Sequence, residues 1–345
     1  MHIALRTLVT LAISAVGAFA MDLTRMAGAM LMGGAIAVGC AVALGFKAKL
    51  HNRVRNALFI GIGLQMGASA SPDTLQLLGQ WPITLSALAI ELVVIVGLCA
   101  LYLHKVAKLD LGTAYLGSFP GHLTLILALA TSGTGDPRKI MVIQTTRVAL
   151  LTLCAPIGGL FLQMGTFSTA SEGPMAITTL AFAVAACAFV GWVFAKFRVA
   201  AGYVLGSMLV AMTLKLTGNF HGQLPQPLVA ITFIGMGALI GAAFSGVSRA
   251  EITSALTSGI VASAISIAVV TVTSLITAQF VDMPFGQLWL GLAPGGIESM
   301  GALGVALGYD TAFIAGHHVV RMLLLILAIP LVAMMFRGSA EPEPR

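Results

Sequence analysis

Ser118-Phe119-Pro120-Gly121 and Leu292-Ala293-Pro294-Gly295 lie 174 residues apart and mark the centre of a duplication running through the chain. The same offset places Asp136 on Asp310, Arg147 on Arg321 and Pro156 on Pro330 without a gap. Further upstream it pairs Phe59-Ile60-Gly61, Gly63 and Gly67 with Phe233-Ile234-Gly235, Gly237 and Gly241, and Ala27-Gly28 with Ala201-Gly202. A unit of half the chain repeated in register is a repeat architecture. In a hydrophobic protein it is the construction of many secondary transporters.

Composition identifies the solvent. Hydrophobic residues make up 58% and charged residues 9% of the chain, and the mean hydropathy is +1.00. A soluble domain carries roughly 25% charge. Stretches 26–46, 83–103, 253–278 and 312–336 are apolar, and each is long enough for the ~20 residues that a bilayer core requires. The sequence therefore predicts an all-α polytopic membrane protein. The 39 glycines fit helices that pack closely through small residues. Cys40, Cys99, Cys154 and Cys187 stand singly in apolar segments, with no metal-ligand or redox spacing. Arg6, an apolar run and Ala18-Phe19-Ala20 resemble a signal peptide. However, residues 1–20 fall on the apolar 175–194, with Gly17 on Gly191, so they are read as the first membrane helix.

Each half contains six apolar segments, but the basic loops do not recur in equivalent places. Lys47, Lys49, Arg53 and Arg55 have no basic counterpart in 221–229, and Arg138-Lys139 fall on Ala312-Phe313. Conversely, Arg249 falls near a stretch, 72–80, without a base; Arg25 and Lys215 are exceptions. Because Lys and Arg gather on the cytoplasmic side, this reversal predicts two inverted-topology repeats, 1–170 and 171–337, with a disordered tail at 338–345. Inversion needs an odd number of crossings per half. If the Pro-Gly segment enters and leaves on one face, the basic loops share one side, giving ten transmembrane helices, two re-entrant hairpins and cytoplasmic termini. The alternative is twelve crossings with broken helices, which leaves the charge reversal unexplained.

Candidate site residues gather around the tips. Proline and glycine end a helix and free its backbone groups, which suggests a substrate site from Pro120, Gly121, His122 and Thr124 in one half and Pro294, Gly295, Gly296, Glu298 and Ser299 in the other. A helix starting after Pro294 would present N–H groups to an anion. Arg147 and Arg321 lie inside apolar segments, where a guanidinium is costly and is functional by default. Each could bind a substrate carboxylate, pair with Glu298, Asp136 or Asp310, or cap hairpin carbonyls. Gln144 and His318 occupy equivalent places three residues before the arginines, on the same helix face. His317 is about 100° away from His318 around the helix and faces elsewhere. Coupling-ion candidates are Glu91, Glu298, Asp136 and Asp310; for the two aspartates, helix capping is the competing role. No metal or cofactor is expected.

The run Pro294-Gly295-Gly296-Ile297-Glu298-Ser299-Met300, then Gly308-Tyr309-Asp310 and His317-His318-x-x-Arg321, resembles the duplicated AbrB-type membrane proteins. These are often labelled ammonia monooxygenases or regulators and are unrelated to the small DNA-binding protein of similar name. The resemblance implies the duplication and a membrane location, and it names no substrate. In the first half, His122 stands where the family pattern has a second glycine. The seven histidines form no H-x-x-x-H or E-x-x-H set, which argues against a copper or iron oxygenase. There is no soluble domain for nucleic acid and no P-loop. The expected function is secondary active transport of a small solute, with a lean toward organic anions, in the cell (inner) membrane. A homodimer is compatible with this, and any effect on gene expression would be indirect. Single cysteines placed in loops 47–55, 105–108 and 134–139 should all react with an impermeant thiol reagent from the same, cytoplasmic side. Labelling of 105–108 and 134–139 from opposite sides would rule out the one-face hairpin.

Overall fold

A computed structural model describes residues 3–69, 78–121, 126–127, 129–159, 175–220, 222, 224–246 and 249–337. His122, Thr124, the proposed boundary at 170/171 and the tail 338–345 lie outside them. The described residues form thirteen α-helices and no strand. The first half contains α1 (Ile3–Asp22), α2 (Ala29–Ala43), α3 (Asn52–Ala68), α4 (Trp81–Lys105), α5 (Leu111–Ser118) and α6 (Pro137–Gly159). The second contains α7 (Ile177–Lys196), α8 (Gly202–Leu216), α9 (Gln226–Gly241), α10 (Arg249–Thr277), α11 (Phe285–Leu292), α12 (Ile297–Leu307) and α13 (Thr311–Arg337). Among the described residues, five helical stretches are long and apolar enough to cross a membrane: Ile3–Asp22, Trp81–Lys105, Ile177–Lys196, Thr257–Thr277 and Thr311–Ala328.

Helix boundaries repeat with the sequence offset. α1 and α7, and likewise α5 and α11, match end for end at 174 residues. The register slips by one between them. Gly28 and Ala201, both left-handed (φ 70° and 52°), precede α2 and α8, and left-handed Arg25 and Arg198 precede these. The offset is therefore 173 from Arg25 to Gly45, whose left-handed partner is Gly218, and returns to 174 by the start of α3 and α9. The sequence pairing of Ala27-Gly28 with Ala201-Gly202 is one residue out. The loop after α7 is a residue shorter, and the left-handed turn, rather than the Ala-Gly identity, sets the true alignment. It also makes Arg25 the counterpart of Arg198.

Glycines set how the halves meet. A Cβ at Gly63 would sit 2.4 Å from Val204 O, and one at Gly67 would sit 2.4 Å from Met208 O. In the equivalent contact, Gly237 and Gly241 lie against Leu31 O and Ala35 O. In both pairs the numbering rises together, so α3 runs parallel to α8 and α2 runs parallel to α9. Gly61 meets Thr232 while Gly235 meets Leu58, so α3 and α9 run antiparallel. α4 and α10 also cross antiparallel: Cys99 lies beside Ala262, and the Gln80 side chain accepts from Asp282 N–H at 3.0 Å. The glycine rows are seams at which backbones touch. Large apolar side chains point outward from α1, α4, α7 and α10, such as Leu8, Val93, Phe182 and Ile276, as lipid-facing surfaces require.

The Pro-Gly segments are hairpins. α5 runs in, and by Thr134 the chain is back beside Gly112, where a Cβ would be 1.7 Å from Thr134 O. In the second half α11 runs in, the tip at 293–296 turns, and α12 returns to Tyr309, whose ring packs on Gly286. Gly308 ends α12 in the left-handed conformation (φ 70°). The first return limb is less regular, a π-helical turn Ala130–Thr134 broken at Gly133. Gly67→Leu and Gly241→Leu, each driving a side chain into a facing backbone, should lower the melting temperature in detergent by the equivalent of ~1–3 kcal/mol or more. Gly97→Ala, with nothing within 4 Å, should be neutral or stabilising by about 1 kcal/mol. Equal melting temperatures for all three would refute the seam.

Candidate functional site

The tip begins with the order of residues. Pro120 and Pro294 have no N–H to continue α5 or α11, and each is the centre of a three-residue turn. Gly121 N–H donates to Phe119 O at 3.1 Å, and Gly295 N–H donates to Ala293 O at 2.8 Å. Gly121 has φ 129°, a conformation other residues resist. A helix ending here leaves carbonyls without intrahelical donors, and in a dry interior each such carbonyl costs several kcal/mol.

The buried arginines supply those donors. Arg147, 1% exposed, donates from Nη1 to Ser118 O at 2.7 Å and from Nη2 to Phe119 O. Arg321, 4% exposed, donates from Nη1 to Ala293 O and from Nη2 to Gly295 O at 2.7 Å. Phe119 O and Ala293 O correspond, but the second carbonyl differs. Arg147 reaches back to the end of α5, whereas Arg321 reaches forward across the proline. Neither guanidinium forms an ion pair with Glu298, Asp136 or Asp310 among the described residues; both cap hairpin carbonyls, one of the three roles read from the sequence. Each arginine thereby ties a tip to the long helix that follows it.

Asp136 and Asp310 cap these long helices. Asp136 Oδ1 accepts from Arg138 N–H at 2.9 Å and Lys139 N–H at 3.3 Å, and Asp310 Oδ1 accepts from Ala312 N–H at 2.8 Å and Phe313 N–H at 3.3 Å. Their own N–H groups donate to Thr113 Oγ1 at 2.7 Å and Gln287 Oε1 at 3.0 Å. Thr113 and Gln287 escaped the sequence reading, although the 174-residue offset pairs these two polar residues. Both lock the start of a hairpin to its end.

Gln144 and His318 occupy equivalent positions with different outcomes. Gln144 Nε2 donates to Leu116 O at 3.0 Å. His318 Nδ1 donates to Ile314 O at 2.9 Å on its own helix, and Nε2 has no hydrogen-bond partner among the described residues although His318 is fully buried. His317 faces α4: Nδ1 donates to Phe313 O at 2.9 Å and Nε2 lies 2.8 Å from Thr84 Oγ1. Glu91, from the middle of α4, is fully buried, and both carboxyl oxygens are unpartnered among the described residues. The positive charge acting on it is that of Arg321, which in turn lies in the field of Arg147. Gln65 on α3 is a further buried amide without partners among the described residues, missed from sequence because an isolated Gln carries no motif.

Glu298 does not join this group. Its carboxyl folds over the start of α12, where a Cβ at Gly296 would lie 3.3 Å from it, and the charge acting on it is that of Arg55. It occupies the helix end the sequence reading offered to an anion, and a carboxylate there is favoured by the helix dipole. Ser299, 7% exposed, follows on the buried face. Beside the first tip, a cavity of about 440 Å³ lies between α4, α5 and α13, lined by Leu92, Val96, Tyr115, Phe119, Leu325 and Ala328 among others. Its walls are mostly aliphatic. No group of three or more His, Cys, Asp or Glu gathers among the described residues.

Comparison with known proteins places this arrangement in context. Residues 30–337 match the family described as transition state regulatory protein AbrB. The chain is also 25% identical over 354 aligned positions to the uncharacterized protein YhjN of Bacillus subtilis, covering 94% of this chain and 92% of that protein.

Replacing either fork should loosen its tip. Arg147→Lys and Arg321→Lys each retain a charge but cannot reach two carbonyls with planar geometry. Each should therefore lose about 1–3 kcal/mol of stability from the carbonyl left unpaired, read as a drop in melting temperature in detergent. Asp310→Ala should lose about 1 kcal/mol through its cap. Lysine variants as stable as the parent would show that the carbonyl contacts are dispensable.

Proposed function

This chain belongs to the AbrB family, and we propose that it is a secondary active transporter moving a small organic anion by alternating access. The carrying observation is the pair of Pro-Gly tips, each held by a buried arginine at the same place in its half. Broken, polar backbone inside a membrane protein is tolerated only where it is buried in protein or lines a cavity. Discontinuous helices near the midplane are the usual substrate site of duplicated transporters. Two guanidiniums in one another's field, with Glu91 as the acid acting on Arg321, make the interior positive and favour an anionic solute.

The reading includes two inverted halves in the cell (inner) membrane, ten crossings and two re-entrant hairpins, with both termini cytoplasmic. Its support is geometric. α2 runs with α9 and α3 runs with α8, while α3 opposes α9. The equivalent helices α3 and α9 therefore point in opposite directions, as do α2 and α8. Each hairpin also returns to the level at which it began. On this reading α1–α4 and α6 cross in the first half, and α7–α10 and α13 cross in the second. The substrate-lining residues are those at the tips, Pro120, Gly121, Pro294, Gly295, Gly296 and Ser299, with Gln144 and His318 behind them. Arg147 and Arg321 hold the tips in place. No enzymatic step and no cofactor belong to this reading. The regulatory description attached to the family would follow indirectly, from the solute moved.

The test is reconstitution. Proteoliposomes carrying the purified chain should accumulate at least one labelled small carboxylate from a panel under an imposed ion gradient. Lysine replacement of both arginines should abolish the uptake while leaving the protein inserted. Equal uptake in protein-free vesicles across a panel of carboxylates, amino acids and cations, under proton and sodium gradients alike, would overturn transport.

A further inference from the structure

The duplication supplies its own internal control. Behind the first tip, among the described residues, Gln144 is bonded to Leu116 O, and the position equivalent to Glu91 is Ile265. Behind the second tip, the same positions carry ionisable groups. α4 brings Glu91 toward Arg321, and His318 stands one turn before Arg321 on the same face of α13. Both groups are fully buried, and among the described residues both leave hydrogen-bonding atoms without partners: the two carboxyl oxygens of Glu91 and Nε2 of His318. Orphaned polar atoms are rare in native interiors and call for an explanation. Among the described residues, the positions matching Glu91 and His318 in the other half, Ile265 and Gln144, carry no unpartnered ionisable group.

We propose that Glu91 is the proton-binding residue of this protein, and that its charge controls how Arg321 holds the second hairpin tip. When Glu91 carries a proton it is neutral, and Arg321 keeps both donors on Ala293 O and Gly295 O. When the proton leaves, the carboxylate draws the guanidinium away from the tip. Burial favours the neutral form of a carboxyl group, while a nearby cation favours the charged form. Other groups around α4 offer no competing partner. α13 contributes Arg321, His318 and His317, the last already joined to Thr84. α10 contributes no Asp, Glu, Lys, Arg or His between Thr257 and Thr277, and α5 contributes only Tyr115 among titratable types. Arg147 acts on Arg321 from the first tip. Proton control therefore acts at the second tip, through Arg321.

This inference rests on the transport reading only for its purpose; the proton site can be measured without any solute. Infrared difference spectra of the full-length protein in lipid, recorded between low and high pH, should contain the carbonyl stretch of a protonated buried carboxyl. That band should be lost in Glu91→Gln and shifted in Glu91→Asp, which preserves the acid if the glutamine variant does not fold. In a background with the four cysteines replaced, a cysteine at Ala293 should change its reaction rate with a small thiol reagent across the same pH range. A cysteine at Ser118 should not. A band unchanged by both substitutions would overturn the proton site, and equal pH responses at the two tips would overturn its confinement to the second. Either failure leaves solute uptake in proteoliposomes to stand or fall separately.

Discussion

The planar fork of a buried arginine against the carbonyls of a broken helix is the interaction on which this structure depends. Proline stops α5 and α11 partway, so each tip presents carbonyl oxygens with no helical donor. Inside the hydrocarbon region, each such carbonyl costs several kcal/mol unless a donor reaches it. Arg147 and Arg321 provide two parallel N–H groups each, from a residue on the helix that follows the hairpin. A single ammonium could not span the two oxygens with the same geometry.

Much of the remaining architecture serves to bring that fork to its place. Asp136 and Asp310 fix the starts of α6 and α13, and Thr113 and Gln287 tie those starts to the entry of each hairpin. From there, three turns of helix carry the arginine to the depth of the tip. The glycine seams between α2 and α9 and between α3 and α8 bring the two halves within backbone contact. This packing leaves the outer faces of α1, α4, α7 and α10 for lipid.

The halves are similar but not equal, and their differences concentrate in the second hairpin. Its return limb is a regular helix, α12, where the first contains a π-helical break. Its arginine reaches across the proline instead of behind it, and the ionisable groups Glu91 and His318 stand near it. Identical halves would hold both tips equally at all times. Glu91 and its counterpart Ile265 therefore give the two arginines different electrostatic surroundings.

The membrane solvent, the duplication, the Pro-Gly breaks and the importance of the arginines were legible in the sequence, because each rests on composition or on residues repeated at a fixed offset. The all-helical character followed directly, since a bilayer leaves helices few competitors. Tertiary structure decided what the buried charges touch. An arginine in an apolar run implies a partner, but the sequence offers carboxylates and carbonyls alike, and only the parallel course of each hairpin's first helix and the following long helix brings the tip carbonyls into reach. The same holds for Glu298, which reads as a tip residue but folds over its own helix start, and for Glu91, far away in sequence yet within the field of Arg321. The one-residue slip between α2 and α8 was hidden for a related reason. A left-handed turn can be made by Gly28 or Ala201, so identity pointed to the wrong pairing where backbone conformation points to the right one.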